Sequence, residues 1–104
     1  MENLDREQWK ELIQKDKNAV ILDVRTPNEC AEGIQPNAIQ RNILEQDTFL
    51  ESLHELDTKK NYYVYCRSGA RSANACQLME QHGFNSFNLL GGMLGWDGEV
   101  IQPN

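Results

Sequence analysis

Three short apolar runs, separated by segments with helical spacing, constrain the fold of this chain more than any other feature of its sequence. The runs are AVILDV (19–24), YYVYC (62–66) and SFNLL (86–90). The first run is β-branched and apolar almost throughout, which is typical of a strand buried on both faces of a parallel sheet, and the other two runs are also expected to be strands. Strands that alternate with helices predict crossover connections. We therefore expect an α/β, three-layer domain with a sheet of four or five mostly parallel strands flanked by helices.

The segments between these runs carry helix signals. A capping-box pattern predicts a helix over about 6–15, and apolar residues at helical spacing predict another over 48–56. A third helix is expected from about Ala70, with Gly83 as its stop signal. The stretch that follows the first run contains Thr-Pro and a second proline, so we expect a connection with one short helical turn at 28–32.

The composition limits the classes of protein and partner. With 104 residues, 39% apolar and 25% charged, we expect one globular domain over 1–104 and not a disordered chain. The net charge of −6 argues against nucleic acid and anionic membranes as partners. We find no secretory signal and no run of 18 apolar residues, and three widely spaced cysteines favour free thiols, so a cytoplasmic location is expected.

The segment CRSGARS carries the clearest chemical signal. Its Cys66 lies where a predicted strand ends and a helix is about to begin, which is where α/β sheets place their functional loops. Gly69 allows a tight turn whose amides can form an anion-binding nest, and the helix N-terminus adds to the positive field. A cysteine in such a position has a lowered pKa and reacts as the thiolate.

The neighbours of Cys66 strengthen this interpretation. Arg67 and Arg71 supply permanent positive charge, while Ser68 and Ser72 supply hydroxyl donors. The two histidines, at positions 54 and 82, fall in helical segments and are expected on the surface. Activation by amides and local field is therefore favoured over a Cys–His pair. The alternative is that Cys66 is one small buried thiol among three.

The chain resembles the rhodanese family of sulfurtransferases, in particular its small single-domain members. The matching segments are LDVRTPNE (22–29), YCRSGARS (65–72) and LLGGMLGW (89–96), and their order and spacing match as well. The resemblance implies that Cys66 takes a sulfane sulfur as a persulfide. The donor would be thiosulfate or a persulfide, and the acceptor cyanide, a thiol or a protein cysteine. We expect neither a cofactor nor a metal.

The resemblance also implies roles for other residues. Asp23 and Arg25 would hold neighbouring loops. Gly91 and Gly92 would permit close approach of the last loop, and Trp96 would pack it down. The loop that binds the persulfide or the substrate would comprise Arg67, Ser68, Gly69, Ala70, Arg71 and Ser72.

The length of this loop separates two related chemistries. Related phosphatases and arsenate reductases use a Cys-x5-Arg loop, whereas Cys66 and Arg71 form Cys-x4-Arg. The smaller loop fits one extra sulfur atom better than a phosphoryl group, so we expect a sulfurtransferase. A small phosphatase or arsenate reductase, and a non-catalytic binding module with the same fold, are the alternatives.

One segment departs from the family pattern. Many members carry E-F-x-x-G-H-I-P-G-A, but here Ile34 stands at the histidine, Asn37 at the second glycine and Cys30 at the aromatic residue. We expect Cys30 to be a packing residue, with a resolving cysteine for Cys66 as the less favoured alternative. Cys76, in the middle of a predicted helix, is expected to be a buried small apolar residue.

Overall fold

A computed structural model describes residues 1–103 of the chain. Five strands form one sheet with the order β1-β5-β4-β2-β3, and every neighbouring pair runs parallel. The α/β architecture predicted from the alternation of apolar runs and helices is therefore confirmed. The strands are β1 (Glu2–Leu4), β2 (Ala19–Asp23), β3 (Ile39–Gln40), β4 (Asn61–Tyr65) and β5 (Asn85–Leu89).

Helices connect the strands, and each begins close to its predicted start. The longest is α4, with 12 residues, and no helix within residues 1–103 has the length and apolar character needed to cross a bilayer. The helices are α1 (Arg6–Lys15), α2 (Pro27–Ala31), α3 (Gln46–Ser52) and α4 (Ala70–Gln81), with 3-10 turns at Leu53–Glu55 and Gly92–Gly95.

The predicted helix over 48–56 is divided. Helix α3 ends at Ser52 and a 3-10 turn follows. The hydroxyl of Ser52 donates to the carbonyl of Phe49 at 2.7 Å, and the amide of Leu53 is shared between two carbonyls of the preceding turn. Such shared bonds tighten the last turn of a helix. The apolar spacing thus predicted the buried face correctly but not the change in helix type.

Strand β1 is the element that sequence analysis missed. It has three residues, of which only Leu4 is buried, so no periodicity marks it. It pairs with β5, with Asn3 opposite Asn88 and Leu4 opposite Leu89. Asp5 caps the N-terminus of α1, and the hydrophobic residues on either side of it, Leu4 and Trp9, belong to one buried cluster.

Buried side chains cover both faces of the sheet, which confirms the three layers. Along β4, Tyr62 and Val64 face one cluster, while Tyr63 and Tyr65 face another that includes Trp9. The first cluster also contains residues from α3 and α4. Because side chains alternate along a strand, the residue after β4 continues toward the α4 side. That residue is Cys66, which lies in the first cluster.

Candidate active site

The thiol of Cys66 lies at the bottom of a short loop between β4 and α4. The side chain is buried, and the Gly69 amide donates to Sγ at 3.0 Å. Gly69 is the residue that precedes α4, and its φ of 111° is a conformation that L-residues with side chains rarely adopt. The predicted turn and helix N-terminus are therefore both present beside the sulfur.

Hydrogen bonds determine the ionisation of this thiol. Burial raises the pKa of Cys66, but hydrogen bonds from the side chain and amide of Ser72 and from the amides of Gly69 and Ser68 outweigh it. The net result is a pKa below the ordinary value of a thiol. The side chains of Ser68 and Ala70 are exposed. Ser68 therefore donates to the sulfur through its backbone amide and not through the hydroxyl that the sequence predicted. This arrangement favours the nucleophilic thiolate.

Arg71, one of the two cations predicted beside Cys66, is paired with a carboxylate. Its guanidinium forms a two-pronged pair with Glu29, with Nη1–Oε1 at 2.7 Å and Nη2–Oε2 at 2.8 Å. The hydrogen bonds from Arg71 lower the pKa of Glu29 to about 2. Glu29 also accepts from the Thr26 amide at 3.1 Å in a capping box. Arg71 thus brings positive charge near Cys66, and the two hydrogen bonds from its guanidinium link α4 to α2.

Sequence analysis did not single out Glu29, although a signal was present. The segment TPNE has threonine at a helix start and glutamate three residues later, which is the pattern of a capping box. The pattern predicts the hydrogen bonds within α2. It says nothing of Arg71, which lies 42 residues further along the chain.

Asp23 and Arg25 form a buried ion pair at the end of β2. Both carboxylate oxygens accept from the guanidinium, at distances between 2.7 and 3.1 Å. Arg25 Nη2 also donates to the carbonyl of Gly33 at 2.7 Å, and its guanidinium lies 5.7 Å from the centre of the Tyr65 ring. The pair therefore joins the end of the strand to the loop around residue 33.

The last loop packs directly on the active-site loop. The amide of Met93 donates to the Cys66 carbonyl, and that of Leu94 to the Arg67 carbonyl, both at 3.0 Å. A Cβ added to Gly92 would lie 2.5 Å from each of those two carbonyl oxygens. The absence of a side chain at Gly92 is therefore required for this contact.

Gly91 and Trp96 flank the 3-10 turn of this loop, and their surroundings differ. Gly91 has a φ of 79°, but an added Cβ there would meet no atom within 4 Å. Trp96 packs against the cluster that contains Trp9, as the resemblance implied for the end of this loop.

A cleft of about 440 Å³ opens beside the loop and carries groups of both charges. Arg67 is exposed at its mouth, whereas Arg25 and Arg71 are engaged by carboxylates. The cleft is large enough for a small anion or thiol. Its lining residues are Arg25, Glu29, Glu32, Arg67, Met93 and Leu94.

The other two cysteines are free and buried. Burial raises the pKa of Cys30 to about 12, with a further contribution from Asp23, and burial raises that of Cys76 to about 11. The expected burial of Cys76 is confirmed, and the high pKa of Cys30 favours packing over a resolving role. The histidines at 54 and 82 are exposed as predicted. Within residues 1–103 no cluster of metal-binding side chains occurs.

The backbone of the segment that departs from the family pattern is held by a β-bridge and contains one residue in the left-handed conformation. Ile34 forms an antiparallel bridge with Ile101, with both N–O distances at 2.9 Å. Asn37, at the glycine position of the pattern, has a φ of 68°. Asparagine tolerates this conformation better than most residues. The substitution therefore preserves the turn.

A buried polar side chain on β5 also escaped sequence analysis. Asn88 Oδ1 lies 2.5 Å from the Ser72 hydroxyl, and that hydroxyl lies 3.4 Å from Cys66 Sγ. The sequence predicts SFNLL to be an apolar strand. The asparagine within it was the available signal, since this residue is depleted in strands and needs a partner when buried.

Fold and site together define a class: α/β proteins that hold a cysteine in an amide-lined loop between a central strand and the following helix. The model of the Rhodanese-like domain family matches residues 5–99. The chain therefore belongs to that family, as its motifs suggested.

Individual relatives agree with this assignment. The chain is 38% identical over 95 residues to the putative sulfurtransferase YtwF of Bacillus subtilis, covering 91% of this chain and 89% of that protein. It is 33% identical over 94 residues to a sulfurtransferase of Allochromatium vinosum, covering 89% and 85%. A rhodanese-like domain protein from Staphylococcus aureus matches with a TM-score of 0.87 and 30% identity over 100% of both chains.

Proposed function

We propose that this protein is a sulfurtransferase, a single rhodanese-like domain over residues 1–104 that carries a sulfane sulfur as a persulfide on Cys66. The observation that carries the proposal is the thiol itself. Cys66 Sγ accepts from the Gly69 amide at 3.0 Å and lies 3.4 Å from the Ser72 hydroxyl, in a loop with four residues between Cys66 and Arg71. The relatives named as sulfurtransferases support the assignment to that class of enzyme.

The first half-reaction loads the cysteine. The Cys66 thiolate attacks the outer sulfur of thiosulfate, a new S–S bond forms, the old S–S bond breaks, and sulfite leaves with the electron pair. A persulfide donor reacts in the same way and releases a thiolate. Arg67, exposed at the mouth of the cleft, is placed to attract an anionic donor.

The second half-reaction transfers the sulfur from Cys66 to an acceptor. A thiophilic acceptor, such as cyanide or a thiolate, attacks the terminal sulfur of Cys66–S–S⁻, and the Cys66 thiolate is regenerated. Amides of the loop that face the sulfur stabilise negative charge without reorganising, which is the largest contribution a site of this kind makes to rate. The pair between Arg71 and Glu29 holds α2 against α4 and so keeps the loop in place.

The proposal is tested by exposing the protein to thiosulfate, or to glutathione persulfide, and then measuring the mass of the peptide that contains Cys66. We expect the Cys66 peptide to gain about 32 Da, the mass of one sulfur atom in a persulfide. The gain should be absent in Cys66→Ser and should disappear when cyanide is added. A folded protein that gains no sulfur with either donor would contradict the proposal.

The same preparations separate the two alternative functions. A phosphatase would hydrolyse a generic aryl phosphate in a manner that Cys66→Ser abolishes, although the four-residue spacing counts against a phosphoryl-sized loop. A binding module would have a Cys66 thiol of ordinary reactivity. The hydrogen bonds that lower its pKa count against that.

A further inference from the structure

Buried polar side chains lie behind Cys66, and the two half-reactions do not account for all of them. Ser72 is 0% exposed and Asn88 is 2% exposed. The Ser72 hydroxyl oxygen lies 3.4 Å from Cys66 Sγ, 3.2 Å from the Gly69 carbonyl and 2.5 Å from Asn88 Oδ1. A serine hydroxyl has a single hydrogen. Three acceptors therefore compete for one proton.

The orientation of the Asn88 amide follows from its other neighbours. Its Nδ2 donates to Asn3 Oδ1 at 3.0 Å and lies 3.3 Å from the Gly69 carbonyl. Both are acceptors, so the nitrogen faces them and the oxygen faces Ser72. The Gly69 carbonyl already accepts from the Ala73 amide at 3.1 Å. Asn88 Oδ1 is thus the nearest acceptor for the hydroxyl while Cys66 is a neutral thiol.

We propose that Asn88 is a positioning residue for Cys66: its side-chain oxygen holds the Ser72 hydroxyl proton until the thiol ionises, when that proton turns to the sulfur. In the neutral state the S–H group donates to the Ser72 oxygen. On ionisation the thiol proton leaves to solvent, and the Ser72 hydrogen rotates about the Cβ–Oγ bond toward the thiolate. Asn88 Oδ1 then loses its donor, so Asn88 competes with the thiolate for one hydrogen bond.

This inference rests on the proposed role of Cys66 as the nucleophile. The ionisable groups coupled to the Cys66 thiol are Arg71, which Glu29 holds, and the buried thiol of Cys76. Both groups are unaltered when Asn88 is replaced. Asn88 can still act on Cys66 by two routes, through the Ser72 hydroxyl or through the Gly69 carbonyl that its Nδ2 contacts. The Ser72→Ala background separates the two routes, because only the first needs the hydroxyl.

The pH dependence of iodoacetamide alkylation, followed on the Cys66 peptide by mass spectrometry, tests the proposal. Asn88→Leu removes the acceptor at similar volume, and we expect it to lower the pKa of Cys66 by about one unit. Asn88→Asp keeps the shape but strengthens the acceptor and adds charge, so it should raise the pKa. In the Ser72→Ala background the effect of Asn88→Leu should vanish, because the shared proton is gone.

Three results would overturn the proposal: both substitutions at Asn88 shifting the pKa in the same direction, no shift in Asn88→Leu, or a Leu effect that survives Ser72→Ala. If Asn88→Leu does not fold, Asn88→Asp decides, because its effect must shrink in the Ser72→Ala background. Alkylation needs no sulfur donor. Failure of persulfide formation would therefore count against the proposed function and leave this measurement valid.

Discussion

Gly92 is the position at which one added carbon tests how the last loop packs on the active-site loop. Its φ of 52° is in the left-handed region, which costs an L-residue roughly 1–2 kcal/mol. The Cβ of Gly92→Ala would also lie 2.5 Å from the carbonyl oxygens of Cys66 and Arg67. Relief of such overpacking costs roughly 1–3 kcal/mol. We therefore expect Gly92→Ala to lower the free energy of unfolding by about 2–5 kcal/mol.

Gly91→Ala is the matched control. Gly91 has a φ of 79°, but its added Cβ would meet no atom within 4 Å. Only the conformational cost of roughly 1–2 kcal/mol remains there. Urea denaturation of both variants gives the difference, and the melting temperature of Gly92→Ala should fall by about 10 °C or more.

A second measurement connects this packing to the chemistry. The displaced backbone includes the carbonyl of Cys66, which accepts from the Met93 amide at 3.0 Å. Alkylation of Cys66 should therefore slow in Gly92→Ala and remain near the wild-type rate in Gly91→Ala. Equal loss of stability in the two variants, with equal alkylation rates, would refute the steric argument.

Three further outcomes follow from the site. Ser72→Ala should raise the pKa of Cys66, because a hydrogen bond to the thiolate is lost, and the pH profile of alkylation would show it. Glu29→Gln should lower stability by about 1–3 kcal/mol at neutral pH. The pKa of Glu29 falls from 4.5 to about 2 on folding. The pair with Arg71 thus stabilises fully above about pH 5, and the difference from Glu29→Gln should shrink between pH 5 and 2 in urea titrations. Arg67→Ala should leave the melting temperature unchanged, since the side chain is exposed, and should raise KM for thiosulfate several-fold in a cyanide assay.

Much of the fold was predictable because burial leaves a periodic pattern in the chain. The β4 segment places Tyr62, Val64 and Cys66 on one side by simple alternation, and all three lie in the cluster beneath α4. Helix α4 begins at Ala70, as predicted, and ends at Gln81, two residues before the predicted stop at Gly83. Strand β1 was not predictable in this way, since a strand of three residues with one buried side chain has no period to detect.

The same distinction between local and long-range information applies to the candidate site. The position of Cys66 and the amides around it follow from a short loop between a strand and a helix, which is local information. The partners of its neighbours do not. Arg71 meets Glu29 across 42 residues, and Ser72 meets Asn88 across 16.

The sequence by itself determined the alternation of the three longer strands with helices, the place of Cys66 at a strand–helix junction and the four-residue spacing of its loop. Only the tertiary structure decided that Arg71 is engaged by a carboxylate while Arg67 stays exposed, and that Asn88 Oδ1 accepts from the Ser72 hydroxyl. The physical reason is that periodicity records which face of an element is buried. The choice of hydrogen-bond partner depends on which buried faces finally meet.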